Sequence, residues 1–197
     1  MVVVLVNGLP GAGKTTLARA LAAELGLPLF SKDAVKETLA DTLGAVRAPG
    51  TPDAAWSRAL GVAAAETLWT LLGDARGGAV LESPWLAHLR PVVRAGLDRA
   101  GVSEVCEVWC EVPLAVARRR FDGRASDRHP VHTERATGDG DWELWARGAE
   151  PLGLGPVYRV DTTRPVDVTA LAASLGADRG SGARCTTTVR TRPGRRP

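Results

Sequence analysis

The sequence predicts an α/β chain, a parallel sheet with helices on both faces, and three observations predict it. Residues 2–6, Val-Val-Val-Leu-Val, form a continuous apolar, mostly β-branched run of the kind a strand buried on both faces needs. Residues 8–15, Gly-Leu-Pro-Gly-Ala-Gly-Lys-Thr, fit G-x-x-x-x-G-K-[ST] and lead into a segment with Leu17, Leu21 and Leu25 on one helical face. Further along, short apolar runs alternate with helical periods, as expected of parallel strands joined by helical crossovers.

The loop between the first strand and helix sets the chemistry. Gly8, Gly11 and Gly13 let the backbone wrap closely around a polyphosphate, and the helix N-terminus adds its partial positive charge. Leu9, Pro10, Gly11, Ala12, Gly13, Lys14, Thr15 and Thr16 are the expected nucleotide-binding residues. Lys14 reaches the outer phosphates as a mobile point charge, and the Thr15 hydroxyl ligates Mg²⁺. A strand, a glycine loop and a helix in that order separate this pattern from an accidental glycine-rich turn. The chain is expected to bind a nucleoside triphosphate.

Gly26, Leu27 and Pro28 end the first helix, and Leu29 and Phe30 start a short second strand. Ser31, Lys32 and Asp33 follow at its C-terminal end, where ligands sit in an open parallel sheet. Asp33 there faces the γ-phosphate or N-caps the next helix, and the two roles can coexist. That helix, 33–43, carries Val35, Leu39 and Leu43 on one face. A loop over 44–50 leads to a long helix opened by Pro52, with Trp56, Leu60, Ala64, Leu68, Leu71 and Leu72 inward.

Residues 79–82, Ala-Val-Leu-Glu, read as a buried strand that ends in an acid. Glu82 is placed to orient the metal, to contact the substrate, or merely to cap a loop. A helix over 88–100 uses Leu89, Val92, Val93 and Leu97, and a strand over 105–112 carries Trp109. The next helix turns Leu114, Ala117 and Phe121 inward and bears Arg118, Arg119 and Arg120, with Arg124 and Arg128 beyond it. Arginines on such a loop either neutralise charge on a transferred phosphoryl group or form a solvated helix face, and the first reading is favoured. Residues 134–150 combine acids, Asp141 among them, with Trp142 and Trp145, either to grip a substrate or to pack a surface helix on the core. A last strand and its exit loop cover 156–163, and Val168, Leu171 and Leu175 mark a final helix.

Composition bounds the class. At 197 residues, 45% apolar and 24% charged, the chain suits one globular domain. No run is long and apolar enough for a membrane span, and the N-terminus enters a strand without a signal-peptide pattern, so a cytoplasmic protein is expected. Cys106, Cys110 and Cys185 lack metal-ligand spacing and read as reduced thiols. The net charge is +3, but residues 178–197 hold six arginines and one acid, so this tail is +5 and the rest is −2. The body therefore offers no electrostatic argument for nucleic acid, and the tail, poor in apolar residues, is expected to be disordered.

Residues 8–15, Ser31-Lys32-Asp33, the strand ending at Glu82, the arginines from Arg118 to Arg128, and Val160-Asp161-Thr162-Thr163 together resemble the small P-loop kinases of the adenylate, shikimate and gluconate kinase type. Zeta-toxin-like kinases and chloramphenicol phosphotransferase are the nearest in pattern. The resemblance covers about residues 1–177. It implies a three-layer P-loop NTPase fold with a five-stranded sheet of order 2-3-1-4-5, and an arginine-bearing lid over about 122–150. It implies Asp33 as catalytic base or hydroxyl-orienting group, Arg118 near the adenine, lid charge from Arg120, Arg124 or Arg128, and an adenine-side loop formed by residues 161–165, including Asp161, Thr162, Arg164 and Pro165. Glu82 stands where relatives often have Asp, and the segment 134–150 has no counterpart in the pattern.

The expected reaction is transfer of the γ-phosphoryl group of ATP, with Mg²⁺, to a hydroxyl of a small molecule such as a sugar, aminocyclitol or antibiotic. Lys14, Asp33, Arg120, Arg124 and Arg128 are the expected catalytic residues, with Thr15 and Glu82 at the metal. Asp33, Lys36, Trp56, Glu82, Trp85, Asp141 and Trp142 are the expected acceptor-binding set. A nucleoside or nucleotide kinase is the alternative, and Arg47, Arg58, Arg90 and Arg94 form no clear cluster for an acceptor phosphate. A nucleic-acid end-processing kinase or regulatory NTPase, with the basic tail as its handle, is an alternative of another class. The expected partner is a small-molecule acceptor, with no nucleic acid, no membrane and a monomeric or homodimeric chain.

Overall fold

The structure, a computed structural model, describes residues 1–132, 139–177 and 186–189, with 139–141 and 186–189 described by backbone alone. A central parallel sheet has the order β2-β3-β1-β4-β5-β6, where β1 is Val2–Gly8, β2 Leu29–Ser31, β3 Gly78–Glu82, β4 Cys106–Glu111, β5 Val157–Asp161 and β6 Thr186–Val189. The helices are α1 (Lys14–Leu25), α2 (Lys32–Leu43), α3 (Asp53–Asp74), α4 (Arg90–Arg99), α5 (Leu114–Asp122), α6 (Asp139–Arg147) and α7 (Val168–Ala177). The first five strands take the expected 2-3-1-4-5 order. Val6 pairs with Glu82 on one side of β1 and Gly8 with Cys110 on the other, so the glycine loop leaves the sheet between two strand ends.

Alternation along β1 builds two cores. Val4 and Val6 pack under α1 and α7 with Leu17, Leu21, Leu171 and Leu175, while Val3 and Leu5 face Leu68, Leu72, Val93 and Leu97. On the second face Trp69 stacks on Trp85 at 6.3 Å. Gly96 of α4 makes room for it, since a Cβ there would lie 2.3 Å from the Trp69 ring.

The structure corrects several inward assignments. In α3 the buried face is Leu60, Ala64, Leu68, Trp69 and Leu72, whereas Leu71 is exposed and Trp56 half-buried. At 100° per residue Trp69 and Leu72 lie to one side of Leu68 and Leu71 to the other, so the ring of Trp69 decides which flank faces the sheet. Val92 and Leu114 are likewise exposed. In α2 the one buried residue is Lys36, because this helix packs along α3 and holds its Val35–Leu39–Leu43 stripe at the margin.

The tail also departs from expectation. Residues 186–189, Thr-Thr-Thr-Val, pair in parallel with β5 from Val157 to Val160. These residues are β-branched, and the outer edge of β5 offers unpaired backbone groups. Disorder was expected for the whole segment, and the rest of 178–197 lies outside the described residues. No described helix is long and apolar enough to cross a membrane.

Candidate active site

The phosphate loop is built by close approach. Gly11 has φ +81°, and a Cβ there would sit 2.1 Å from the Ala117 carbonyl oxygen, while one at Gly8 would sit 2.8 Å from that of Cys110. The loop is thus wedged against the start of α5 and the end of β4. Gly11→Ala should combine left-handed strain of about 1–2 kcal/mol with that clash, lowering the melting temperature and removing ATP binding together. Thermal unfolding with and without ATP checks it, and a variant that binds ATP normally contradicts the wedge.

Gly13 takes the left-handed conformation that starts α1, and Leu17 N–H then donates to its carbonyl. Lys14 is buried, and its Nζ donates to the Leu9 carbonyl at 3.0 Å, which folds the side chain back across the loop it serves. Behind it, burial pushes the Cys110 thiol up to about 12, so this cysteine stays protonated and inert.

Thr15 and Glu82 meet in a hydrogen bond. The Thr15 hydroxyl donates to Glu82 Oε1 at 3.3 Å, and Ser31 Oγ donates to Oε2 at 2.7 Å. A hydroxyl and a carboxylate, both hard oxygen donors, suit Mg²⁺, which usually takes one or two carboxylate or hydroxyl ligands beside phosphate and water. Among the described residues no group of three or more His, Cys, Asp or Glu forms an all-protein metal cage. The pair fits an ion shared with a nucleotide.

On the far side of the loop, a cavity of about 690 Å³ is lined by Gly13, Thr16, Arg120, Arg124, Thr162, Arg164 and Pro165, among others. Thr162 Oγ1 donates to the Ala12 carbonyl at 2.6 Å, and the Arg120 guanidinium donates twice to the Thr162 carbonyl, at 3.1 and 3.2 Å. The exit of β5 therefore braces the phosphate loop directly.

Three expectations change here. Arg118 does not line the cavity and pairs with Asp122 at 3.9 Å, because Ala117 and Arg120 occupy the flank of α5 that faces the loop. Asp161 turns inward to its own turn, accepting from Thr163 N at 2.8 Å and from its hydroxyl at 2.5 Å. Those bonds hold its carboxyl below the usual range. Arg128 stacks over Phe121, 3.7 Å from the ring centroid, and donates to the Phe121 carbonyl, so it fastens the loop after α5 onto that helix.

On the acceptor side Asp33 lies in the first turn of α2, half-buried. Lys36, one turn on, donates to Ser57 Oγ at 2.8 Å and the Val131 carbonyl at 3.4 Å, so it fastens α2 to α3 and to the turn at 130–132. Trp56 lines a cleft of about 300 Å³ with Arg47, Asp53, His129 and Val131. Trp85 and Trp142 do not line that cleft. Trp85 is core against Trp69, and Trp142 is buried edge-on to Phe121 at 5.5 Å and to Trp145 at 5.0 Å. Their large apolar surfaces gain more in the core than at a cleft wall. The Asp141 side chain lies outside the described residues.

Sequence reasoning missed the histidines. His129 Nε2 meets Asp41 and His132 Nε2 meets Glu37, each at 3.0 Å, which docks the 129–132 turn along α2. The i, i+4 acids of α2 and the i, i+3 histidines were the available signal. Burial holds the His132 imidazole below its ordinary value, with Lys36 acting the same way and Asp33 and Glu37 pulling against them. The unfolded chain then takes up the proton more readily, so this contribution to stability is whole above about pH 6.5 and is lost as pH falls through the lower folded value. Denaturant unfolding should show stability falling below pH 6.5, with a shallower fall in His132→Gln.

The strand order and the glycine loop define a P-loop nucleotide-binding fold, and the family match together with a kinase relative makes the chain an ATP-dependent phosphotransferase. The chain belongs to the AAA domain family, whose model matches residues 3–140. It is 33% identical to a candidate kinase from Chloroflexus aurantiacus J-10-fl, with TM-score 0.71 over 89% of this chain and 97% of that one. A gluconokinase from Sinorhizobium meliloti 1021 shares the fold at 19% identity and TM-score 0.58, over 90% of this chain and 93% of that one. A cytidylate kinase from Pyrobaculum aerophilum is 50% identical over 44 residues, 22% of this chain and about a quarter, 24%, of that protein.

Proposed function

We propose that this protein moves the γ-phosphoryl group of ATP to a hydroxyl of a small molecule, a sugar, aminocyclitol or antibiotic, with Asp33 as the base. The observation that carries the reading is the placement of Asp33 at the end of β2, whose Ser31 hydrogen-bonds Glu82, which in turn meets Thr15. In this reading the base, the metal pair and the phosphate loop belong to the carboxyl ends of the adjacent strands β2, β3 and β1. Lys14 and the loop amides neutralise the phosphates, with Arg120 and Arg124 on the nucleotide side, while Asp33 orients the acceptor hydroxyl and takes its proton. Held by Thr15 and Glu82, Mg²⁺ would supply neutralisation of the charge on the phosphates.

The acceptor lies along α2, from Asp33 toward the cleft at Trp56. Ala40, on the cleft wall, is seven residues from Asp33, about 10 Å at the helical rise. The turn at 129–132 belongs to the lid expected over 122–150. A relationship to zeta-toxin-like kinases and chloramphenicol phosphotransferase, work in the cytoplasm, and a kinase unit over 1–177 to whose sheet residues 186–189 add an edge strand complete this reading. Screening ATP consumption against sugars, aminoglycosides, other antibiotics and nucleosides, with mass detection of the added phosphate, tests the reading.

A nucleotide acceptor is the second reading, favoured by the short match to cytidylate kinase. Against it, Arg47 beside the cleft is already engaged by Asp53 and the Thr51 carbonyl, which leaves less of its charge for an acceptor phosphate. Product formation from CMP or another nucleoside monophosphate would decide for it.

A further inference from the structure

We propose that Asn7 is a positioning residue for the pair Thr15 and Glu82, set from behind the phosphate loop and oriented by Glu107. The proposal rests on the reading that this pair holds Mg²⁺. Asn7 and Glu107 are each 1% exposed, on the sheet face otherwise filled by Leu5, Leu81, Trp69 and Trp85. A carboxylate buried among such residues costs several kcal/mol unless its hydrogen bonds are complete, and an apolar pair would pack there at lower cost.

The hydrogen bonds show what the polar pair does. Asn7 Oδ1 accepts from Gly8 N at 2.7 Å and from Trp85 N at 2.9 Å. Its Nδ2 donates to the Trp85 carbonyl at 2.8 Å and to Glu107 Oε1 at 2.9 Å. Glu107 also accepts from Leu152 N and Gly153 N, both at 3.0 Å. Glu107 fixes which way the Asn7 amide faces, because a flipped amide would set its carbonyl against the carboxylate. With the amide so fixed, one side chain clamps the first residue of the phosphate loop to the residue three beyond Glu82. A further bond between these two strand exits, Ser83 N to the Val6 carbonyl, is longer, at 3.4 Å. Asn7 therefore sets how closely Glu82 stands to Thr15.

The test is calorimetric binding of ADP with and without Mg²⁺ to the wild-type chain, Asn7→Leu and Glu107→Gln. Asn7→Leu should leave metal-free ADP affinity within about twofold, because only the Gly8 N–H at the start of the loop loses its partner while Lys14 keeps its contact, and should cut the gain from Mg²⁺ by about tenfold, the low end of the loss when a residue behind a metal ligand is removed. Glu107→Gln keeps Asn7 and the core volume, should lose a smaller part of that gain, and carries the test where Asn7→Leu does not fold. Variants that keep the full Mg²⁺ gain, or that lose ADP affinity equally in both arms, overturn the positioning role. A wild-type chain whose ADP affinity ignores Mg²⁺ overturns the metal reading itself, and the proposal with it.

Discussion

Replacing Lys14 with alanine is expected to lower phosphoryl transfer by about 10²–10³-fold, the usual cost of deleting one preorganised charge-stabilising donor at a transferring group. The side chain is buried and already poised on the Leu9 carbonyl, so little reorganisation is needed to turn its charge toward an incoming phosphate. Removing it leaves the backbone cradle intact, since Gly8, Gly11 and Gly13 hold their conformations through contacts with β4, α5 and Thr162. Steady-state kinetics in ATP, beside circular dichroism to show that the fold persists, checks the prediction. A variant with near-normal kcat/KM for ATP would remove Lys14 from the donor site.

How much of this was legible in the sequence depended on how local the cause was. The glycine loop announces itself because φ above zero and close backbone approach both demand glycine at fixed spacing. The parallel order follows from unbroken apolar runs such as 2–6 and 79–81. Glu82 was visible as an acid ending such a run, and the structure joins it to Thr15.

What stayed hidden was set by packing between distant segments. Tryptophan suits a cleft wall and a core alike, so only the neighbours decide. Trp85 meets Trp69 and Trp142 meets Phe121, pairings of residues 16 to 21 positions apart by chain number that periodicity cannot rank. The arginine run hid its own division of labour in the same way. Arg120 and Arg124 line the 690 Å³ cavity, Arg118 pairs with Asp122 and Arg128 covers Phe121. Within α5 a step of 100° per residue parts Arg118 from Arg120, and beyond Asp122 the turn of the chain directs Arg124 and Arg128. Asn7 and Glu107 lie 100 positions apart and give no spacing signal at all.

Asp33→Asn is expected to cut turnover by about 10²–10⁴-fold, the range for loss of a general base, and to leave ATP binding nearly unchanged. The split follows from where the residue stands. Asp33 belongs to α2, across β2 and β3 from the loop, and lines neither the 690 Å³ cavity nor the contacts of Lys14. Asparagine preserves size and keeps a side-chain oxygen to orient the hydroxyl, so the lost function is proton acceptance and negative charge. In a loose transition state the proton leaves late, so orientation contributes beside basicity and the fall should lie nearer the lower end of that range. An accompanying Asp33→Ala removes both functions and should be slower again. Single-turnover rates measure the chemical step, and ADP calorimetry measures the donor site. If Asp33→Asn turns over normally with the identified acceptor, the base must be sought elsewhere along the acceptor groove.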